Sequence, residues 1–178
     1  YLHQSSSITK PTLDDIFMDI RNIAKIFRVE DRGEALVDQM TKEVDAVRAK
    51  LPQGEKELRV LVYDSGDKEV FTAAQNFMNE LVTVAGGKNI FGEVESGWTT
   101  VSKEETVERN PEVIVVIDYG SQSAEDKIHF LKNDPALKET DAVHNERFVI
   151  LPLSAASEGV RAAEAIKILA KGFYPENF

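Results

Sequence analysis

Three runs within residues 85–117 decide the fold: Ala85-Gly86-Gly87-Lys88-Asn89-Ile90-Phe91, Gly97-Trp98-Thr99-Thr100-Val101-Ser102-Lys103-Glu104, and Asn110-Pro111-Glu112-Val113-Ile114-Val115-Val116-Ile117. Gly86 closes a helix, because glycine enters the left-handed C-terminal position without a Cβ penalty. A short apolar piece, Ile90-Phe91, follows. Trp98, the only tryptophan, is read as a loop residue beside a helix start at Ser102, with Glu105 at capping-box spacing. The turn at Asn110-Pro111 leads into five apolar residues, 113–117. A strand apolar at every position must be buried on both faces, which is the mark of a parallel sheet covered by helices.

Working outward, the pattern alternates. A strand is predicted over 58–63, helices over 74–85, 102–109 and 124–132, a second apolar strand over 147–151, and a closing helix over 157–171. Such alternation implies right-handed crossovers and an α/β fold, a three-layer α/β/α sandwich with a mostly parallel sheet. Two helices precede it. Thr12 caps the first, with Asp15 three residues on. Leu13, Ile16, Phe17, Ile20, Ile23, Ala24 and Phe27 make its apolar stripe, and its end is predicted near Arg28-Val29. The second runs over 31–51 with a narrow stripe of Leu36, Met40, Val44, Val47 and Leu51, so it should lie across a surface; Pro52 and Gly54 break it. Ser5-Ser6-Ser7 reads as a linker. The expected organisation is a linker and helical segment over 1–51 and an α/β lobe over 52–178.

Composition narrows the function. The chain has 178 residues, 42% of them hydrophobic, enough to bury one core. Its net charge of −10 and pI near 4.8 argue against nucleic-acid binding, which needs a basic surface. Without cysteine there is no disulfide framework and no thiolate chemistry. No apolar run reaches transmembrane length. The motifs G-x-S-x-G, G-x-G-x-x-G and G-x-x-x-x-G-K-[ST] do not occur, so hydrolase and nucleotide-binding readings lack their machinery. His3, His129 and His144 are scattered, without metal-ligand spacing, and read as solvated or capping side chains. Asp14-Asp15 and Glu104-Glu105 are adjacent on helices, so each pair points apart and makes no acid/base couple.

Ligands of open α/β sheets lie beyond the carboxyl ends of the strands. Three such ends are legible: Asp64-Ser65-Gly66-Asp67, Asp118-Tyr119-Gly120-Ser121 and Pro152-Leu153-Ser154-Ala155-Ala156-Ser157. Singly, each residue is an ordinary loop or cap; together they read as a rim. Trp98 either stacks on a flat ligand or packs its own loop. The Tyr119 phenol can donate a hydrogen bond or ligate ferric iron. Arg161 either meets an anionic ligand or sits in a surface ion pair. Glu104, in the first turn of a short helix, is favoured by the helix dipole; it is either that alone or a docking charge for a basic pocket.

The 86–91 run and the 98–104 run, with Val62-Tyr63-Asp64-Ser65-Gly66, Phe71-Thr72-Ala73 and Val149-Ile150-Leu151-Pro152, resemble a known family. So do the opening helix from Leu13-Asp14-Asp15-Ile16 and the helix opening at Glu34-Ala35-Leu36-Val37. The resemblance is to the C-terminal lobe of substrate-binding proteins that serve ABC importers of iron-siderophores, haem and vitamin B12. It spans about 12–175 and implies a binding protein with no catalysis and no cofactor. It also implies a ferric siderophore or related chelate as ligand, with Trp98, Tyr119, Asp64 and Ser65 at the cleft and Glu104 docking on the permease; Ser154 and Arg161 join the expected ligand-binding set from the strand-end and last-helix readings above. The implied location is extracytoplasmic, held at the membrane through the permease or a lipid anchor. Helix 31–51 would join two lobes and permit only small hinge motion. On this reading the N-terminal lobe is absent and Tyr1-Leu2-His3 resemble the tail of its last strand, so a chain opening at Tyr1 is a processed or truncated product. The family often has glycine where this chain has Ala24 and Arg28, and a left-handed helix end suits arginine less well. Two alternatives stand beside this reading: a free-standing α/β domain that binds a small ligand or protein as a regulator, and a flavodoxin-like or chelatase-type enzyme.

Overall fold

The computed structural model describes residues 10–54 and 57–178; the expectations for Ser5-Ser6-Ser7 and Tyr1-Leu2-His3 lie outside them. The apolar run forms β5 (Val113–Asp118), and its residues 113–117 are at most 1% exposed. β5 lies between two parallel neighbours, β1 (Leu58–Ser65) and β6 (Phe148–Pro152). Beyond β1 come β2 (Val70–Ala73), antiparallel to it, and the edge strand β4 (Trp98–Val101), antiparallel to β2. The short β3 (Gly87–Asn89) pairs in parallel with the amino half of β1. Among the described residues the sheet is thus six-stranded, mixed and mostly parallel, in the order β4-β2-β1-β5-β6.

Side-chain alternation along the strands divides the core into two layers. Val60, Val62, Val115, Ile117 and Leu151 pack on α3 (Phe77–Val84) and α8 (Ala162–Phe173). Leu61, Tyr63, Ile114 and Val116 pack on α5 (Ala124–Asn133) and α6 (Asp141–His144), with Val107 of α4 (Lys103–Arg109) against them. The three-layer α/β/α arrangement is the expected one. α2 (Glu30–Arg48) lies over α8, burying Val37, Met40, Val44 and Val47, and α1 (Leu13–Phe27) packs on α2. A Cβ on Gly33 would stand 2.5 Å from the Cβ of Ala24, so glycine permits this close crossing.

The capping box of Thr12 with Asp15 forms as expected. Arg28 does take the left-handed conformation, at φ 56°, and the Val29 amide returns to the Ala24 carbonyl at 2.8 Å. The carboxyl half of α1 is another matter. Of its predicted stripe, Leu13, Ile16 and Ala24 are buried, but Ile23 and Phe27 are exposed, as is Ile26 beside them.

Several boundaries differ from expectation. The helix predicted from 74 begins at Phe77, because Asn76 accepts a hydrogen bond from the Met78 amide at 3.0 Å and residues 70–73 are drawn into β2. Trp98 opens strand β4 rather than lying in a loop; the β-branched Thr99, Thr100 and Val101 favour the extended pairing with β2. At α4 the Glu105 amide reaches Ser102 Oγ at 3.0 Å, but the Glu105 carboxylate turns to Arg109 at 2.8 Å instead of closing a capping box. The last helix starts at Ala162, after a separate turn of helix, α7 (Leu153–Ala156), and Gly159 at φ 143°.

This packing sets two contrasting expectations for urea unfolding of the chain. Ile117→Ala opens space in a closed core and should cost about 2–5 kcal/mol. Ile26→Ser, at an exposed site, should change stability by less than about 0.5 kcal/mol. A large loss at Ile26 would contradict the exposure of the α1 end.

Candidate functional site

The parallel strands deliver their carboxyl ends to one edge of the sheet. β1 ends at Asp64 and Ser65, and Gly66 turns the chain back into β2 at φ 113°. A Cβ there would stand 2.1 Å from the Glu69 carbonyl oxygen, so only glycine closes this turn. The Tyr63 hydroxyl holds it from beneath, donating to the Gly66 carbonyl at 2.5 Å. Burial, followed by the negative charges of Asp67, Asp134 and Asp64, pushes the Tyr63 phenol up to about 12. One strand away, Tyr119 and Gln122 pair across a tight turn with Gly120 at φ 78°.

These two ends meet. The Tyr119 hydroxyl donates to Asp64 Oδ2 at 2.6 Å, and Ser65 Oγ donates to the same oxygen at 3.0 Å. Asp64 is 5% exposed and Tyr119 39%, so the ring forms the outer surface and the carboxylate lies behind it. The hydrogen bond to Asp64, with burial, raises the Tyr119 phenol above its ordinary value. Tyr119 is therefore a neutral donor here, not a phenolate.

Lys127 completes the group, and the candidate residues read from sequence did not include it. It is 2% exposed, donates from Nζ to the Ile117 carbonyl at 2.6 Å, and lies 4.3 Å from the Tyr119 ring centroid. Burial lowers its affinity for a proton, while Asp64 and Asp118 push back the other way. The signal was present: Ala124, Lys127 and Leu131 share one helical face, and both neighbours are buried.

Beyond β6, α7 carries Ser154, whose carbonyl accepts from Arg161 Nε at 2.6 Å. Asp118 pairs in register with Pro152, so this segment continues the same edge. Asp64, Ser65, Tyr119, Ser154 and Arg161 therefore lie at the carboxyl ends of three adjacent strands. Trp98 does not join them. It stands at the amino end of β4, opposite Ala73, two strands from β1 or about 10 Å across the sheet. Its ring stacks on Phe71 with centroids 5.6 Å apart and is 37% exposed. Glu104 is exposed in the first turn of α4. Among the described residues, no three His, Asp or Glu side chains converge as a metal site, and no helix is long and apolar enough to cross a membrane.

The sequence profile of periplasmic binding proteins matches residues 5–155. The chain belongs to that family. A crystal structure of a periplasmic binding protein from Veillonella parvula superposes with a TM-score of 0.85 at 30% identity, covering 92% of this chain and 57% of that one. A possible iron-binding (periplasmic solute-binding) protein from Staphylococcus epidermidis gives 0.81 at 25% identity, covering 97% and 66%. Among curated relatives, the uncharacterized ABC transporter substrate-binding lipoprotein YvrC of Bacillus subtilis (strain 168) is 25% identical over 170 residues, 94% of this chain and 52% of its own. A vitamin B12-binding protein of Yersinia pestis (strain Pestoides F) is 27% identical over 117 residues, 65% and 40%. The chain spans about half the length of the curated relatives it matches. Periplasmic binding proteins are solute-binding proteins and not enzymes, which removes the flavodoxin-like and chelatase alternatives.

The Tyr63 bond gives the site a pH signature. A phenol raised in the folded state stabilises fully below its ordinary value of 10.0, and that contribution is lost as pH climbs through about 12. Urea midpoints measured across this alkaline window should fall in the wild type. Tyr63→Phe should flatten that fall and cost about 0.5–1.5 kcal/mol at neutral pH. An unchanged alkaline slope would show that another group governs it.

Proposed function

We propose that this chain is the C-terminal lobe of the extracytoplasmic substrate-binding protein of an ABC importer, and that its cargo is a ferric siderophore. The observation that carries this reading is the lopsided coverage of the Veillonella parvula structure. Nearly all of this chain, a complete three-layer unit, superposes on little more than half of that protein. The open carboxyl edge is then one wall of a cleft, and the other wall belongs to a second lobe. The exposed apolar end of α1, with Ile26 73% and Phe27 72% exposed, is the kind of face a second lobe would cover.

On this reading the protein does no chemistry. Tyr119, Asp64, Ser65, Ser154 and Arg161 line the wall, the turns at Gly66 and Gly120 let a bulky chelate approach backbone, and α2 holds the two lobes at a nearly fixed separation. Trp98 contributes from the far edge of the sheet, as an aromatic surface stiffened by Phe71. Iron as the metal is supported by the description of the Staphylococcus epidermidis protein, and a lipid anchor by that of the Bacillus subtilis relative. The Yersinia relatives, described as vitamin B12-binding, favour a corrinoid as the second reading of the cargo.

Glu104 is assigned to docking on a basic pocket of the permease, supported by its exposure in the first turn of α4. In the full-length receptor, Glu104→Arg should abolish uptake of the iron chelate into cells while leaving its dissociation constant within about twofold. Loss of affinity would place Glu104 in the cleft, and unimpaired uptake would remove it from the docking surface.

A further inference from the structure

Lys127 carries a buried charge that the core around it does not require. It lies on the face of α5 that also holds Ala124 and Leu131, both buried. A leucine or methionine would fill that face without taking an ammonium out of water, and buried charges are often replaceable by apolar side chains at no loss of stability. What the ammonium touches is the candidate wall. Its Nζ donates to the Ile117 carbonyl at 2.6 Å and stands 4.3 Å from the centroid of the Tyr119 ring. Burial works against its charge, while Asp64 and Asp118 work for it.

The local chain builds this contact from both sides. Tyr119 belongs to the turn after β5, which Gly120 and the bridge from Tyr119 to Gln122 fix. α5 begins directly after it. The Asp126 amide reaches Ser123 Oγ at 3.1 Å, and the Ala124 amide returns to Asp118 Oδ1 at 3.2 Å. The start of the helix is therefore tied to the end of the strand, and Lys127, one turn in, reaches back beneath the ring. The ring has two holds, the ammonium on its face and the Asp64 carboxylate at its hydroxyl. A cation against a ring face binds more strongly when water is excluded, and Lys127 is 2% exposed. The phenol has a single proton and gives it to Asp64, so in this pose Tyr119 can only accept a hydrogen bond from a ligand.

We infer that Lys127 is a positioning residue of the ligand wall: its ammonium holds the Tyr119 ring from beneath, in the pose that covers Asp64, so the wall is set before a ligand arrives. The inference rests on the proposed role of this edge in a ligand cleft. A wall ordered in advance lowers the cost of binding, since the ligand does not have to order the ring itself. Without the ammonium the ring is free to leave the pose. A ring that keeps it about a tenth of the time weakens binding about tenfold.

The test compares Lys127→Met with the unaltered full-length protein; methionine fills a similar volume and leaves the face apolar. Ring signals of isotope-labelled tyrosine, assigned with Tyr119→Phe, should show the Tyr119 resonance shifted and broadened in Lys127→Met. The resonance of the buried Tyr63 should stay in place, as the sign of an intact fold. Calorimetric titration uses two probes, a ferric trihydroxamate and cyanocobalamin. Whichever binds the unaltered protein should bind Lys127→Met about tenfold more weakly. On a Tyr119→Leu background, Lys127→Met should weaken binding further by less than about twofold, because the residue it acts through is gone. An unmoved Tyr119 resonance would overturn the positioning role. So would a tenfold loss that persists on Tyr119→Leu, since the lysine would then act on the fold and not through the ring. A shifted resonance with unchanged affinity would overturn the part of this wall in binding and leave the receptor reading intact. An unaltered protein that binds neither probe would overturn the cargo reading, and the resonance alone then decides whether Lys127 holds Tyr119. Should Lys127→Met fail to fold, the ring-current shift of the Lys127 ε-methylene protons reads the same contact. It should be present in the unaltered protein and lost in Tyr119→Leu, and its absence from the unaltered protein would overturn the inference.

Discussion

The burial of β5 on both faces is the constraint from which the rest of the molecule follows. Five consecutive side chains, 113–117, are removed from water, each worth about 1.5–3 kcal/mol relative to exposure. A strand that is apolar on both sides needs helices above and below. Hence α3 and α8 cover one face, α5 and α6 the other, and β1 and β6 flank it in parallel. Parallel pairing sends every crossover helix back toward the amino ends, so the carboxyl ends of β1, β5 and β6 open together along one edge. Asp64 and Tyr119 can share a hydrogen bond across 55 residues of sequence only because β1 and β5 are held side by side.

How much of this was legible depended on segment length. Long periodic segments were read correctly in kind: α1, α2, α5 and the strands β1, β5 and β6. The shortest strands were not. β2, β3 and β4 run three or four residues each, and their extended state is fixed by pairing with β1 or with one another, not by a local pattern. Trp98 was misplaced for this reason, since Gly97 before it and the threonines after it look like a loop until β2 supplies a partner. Asn76 and Gly159 moved two helix starts by capping and by positive φ.

The site shows the same division. The carboxyl-end rule puts Asp64, Ser65, Tyr119 and Ser154 along one edge from sequence alone, while Arg161, read separately at the start of the last helix, joins them only through the Ser154 carbonyl. What it could not give was orientation. That Arg161 faces the Ser154 carbonyl, and that the Tyr119 hydroxyl points inward to Asp64, are settled by packing. Lys127 is not among the candidate residues that the sequence offers, although its place with Ala124 and Leu131 on one helical face marks it as buried. The exposed Ile23 and Phe27 are the reverse case, the end of an apolar stripe that the structure leaves uncovered.

The central claim is that the carboxyl edge, not the amino-end groove, faces the ligand. Hydrogen–deuterium exchange of the full-length protein with and without bound chelate tests it most directly. The account predicts slowed exchange in segments 64–69, 119–122 and 152–158, with segments 88–93 and 109–112 unchanged. Protection confined to the amino-end groove around Arg59, Lys88 and Arg109 would contradict it.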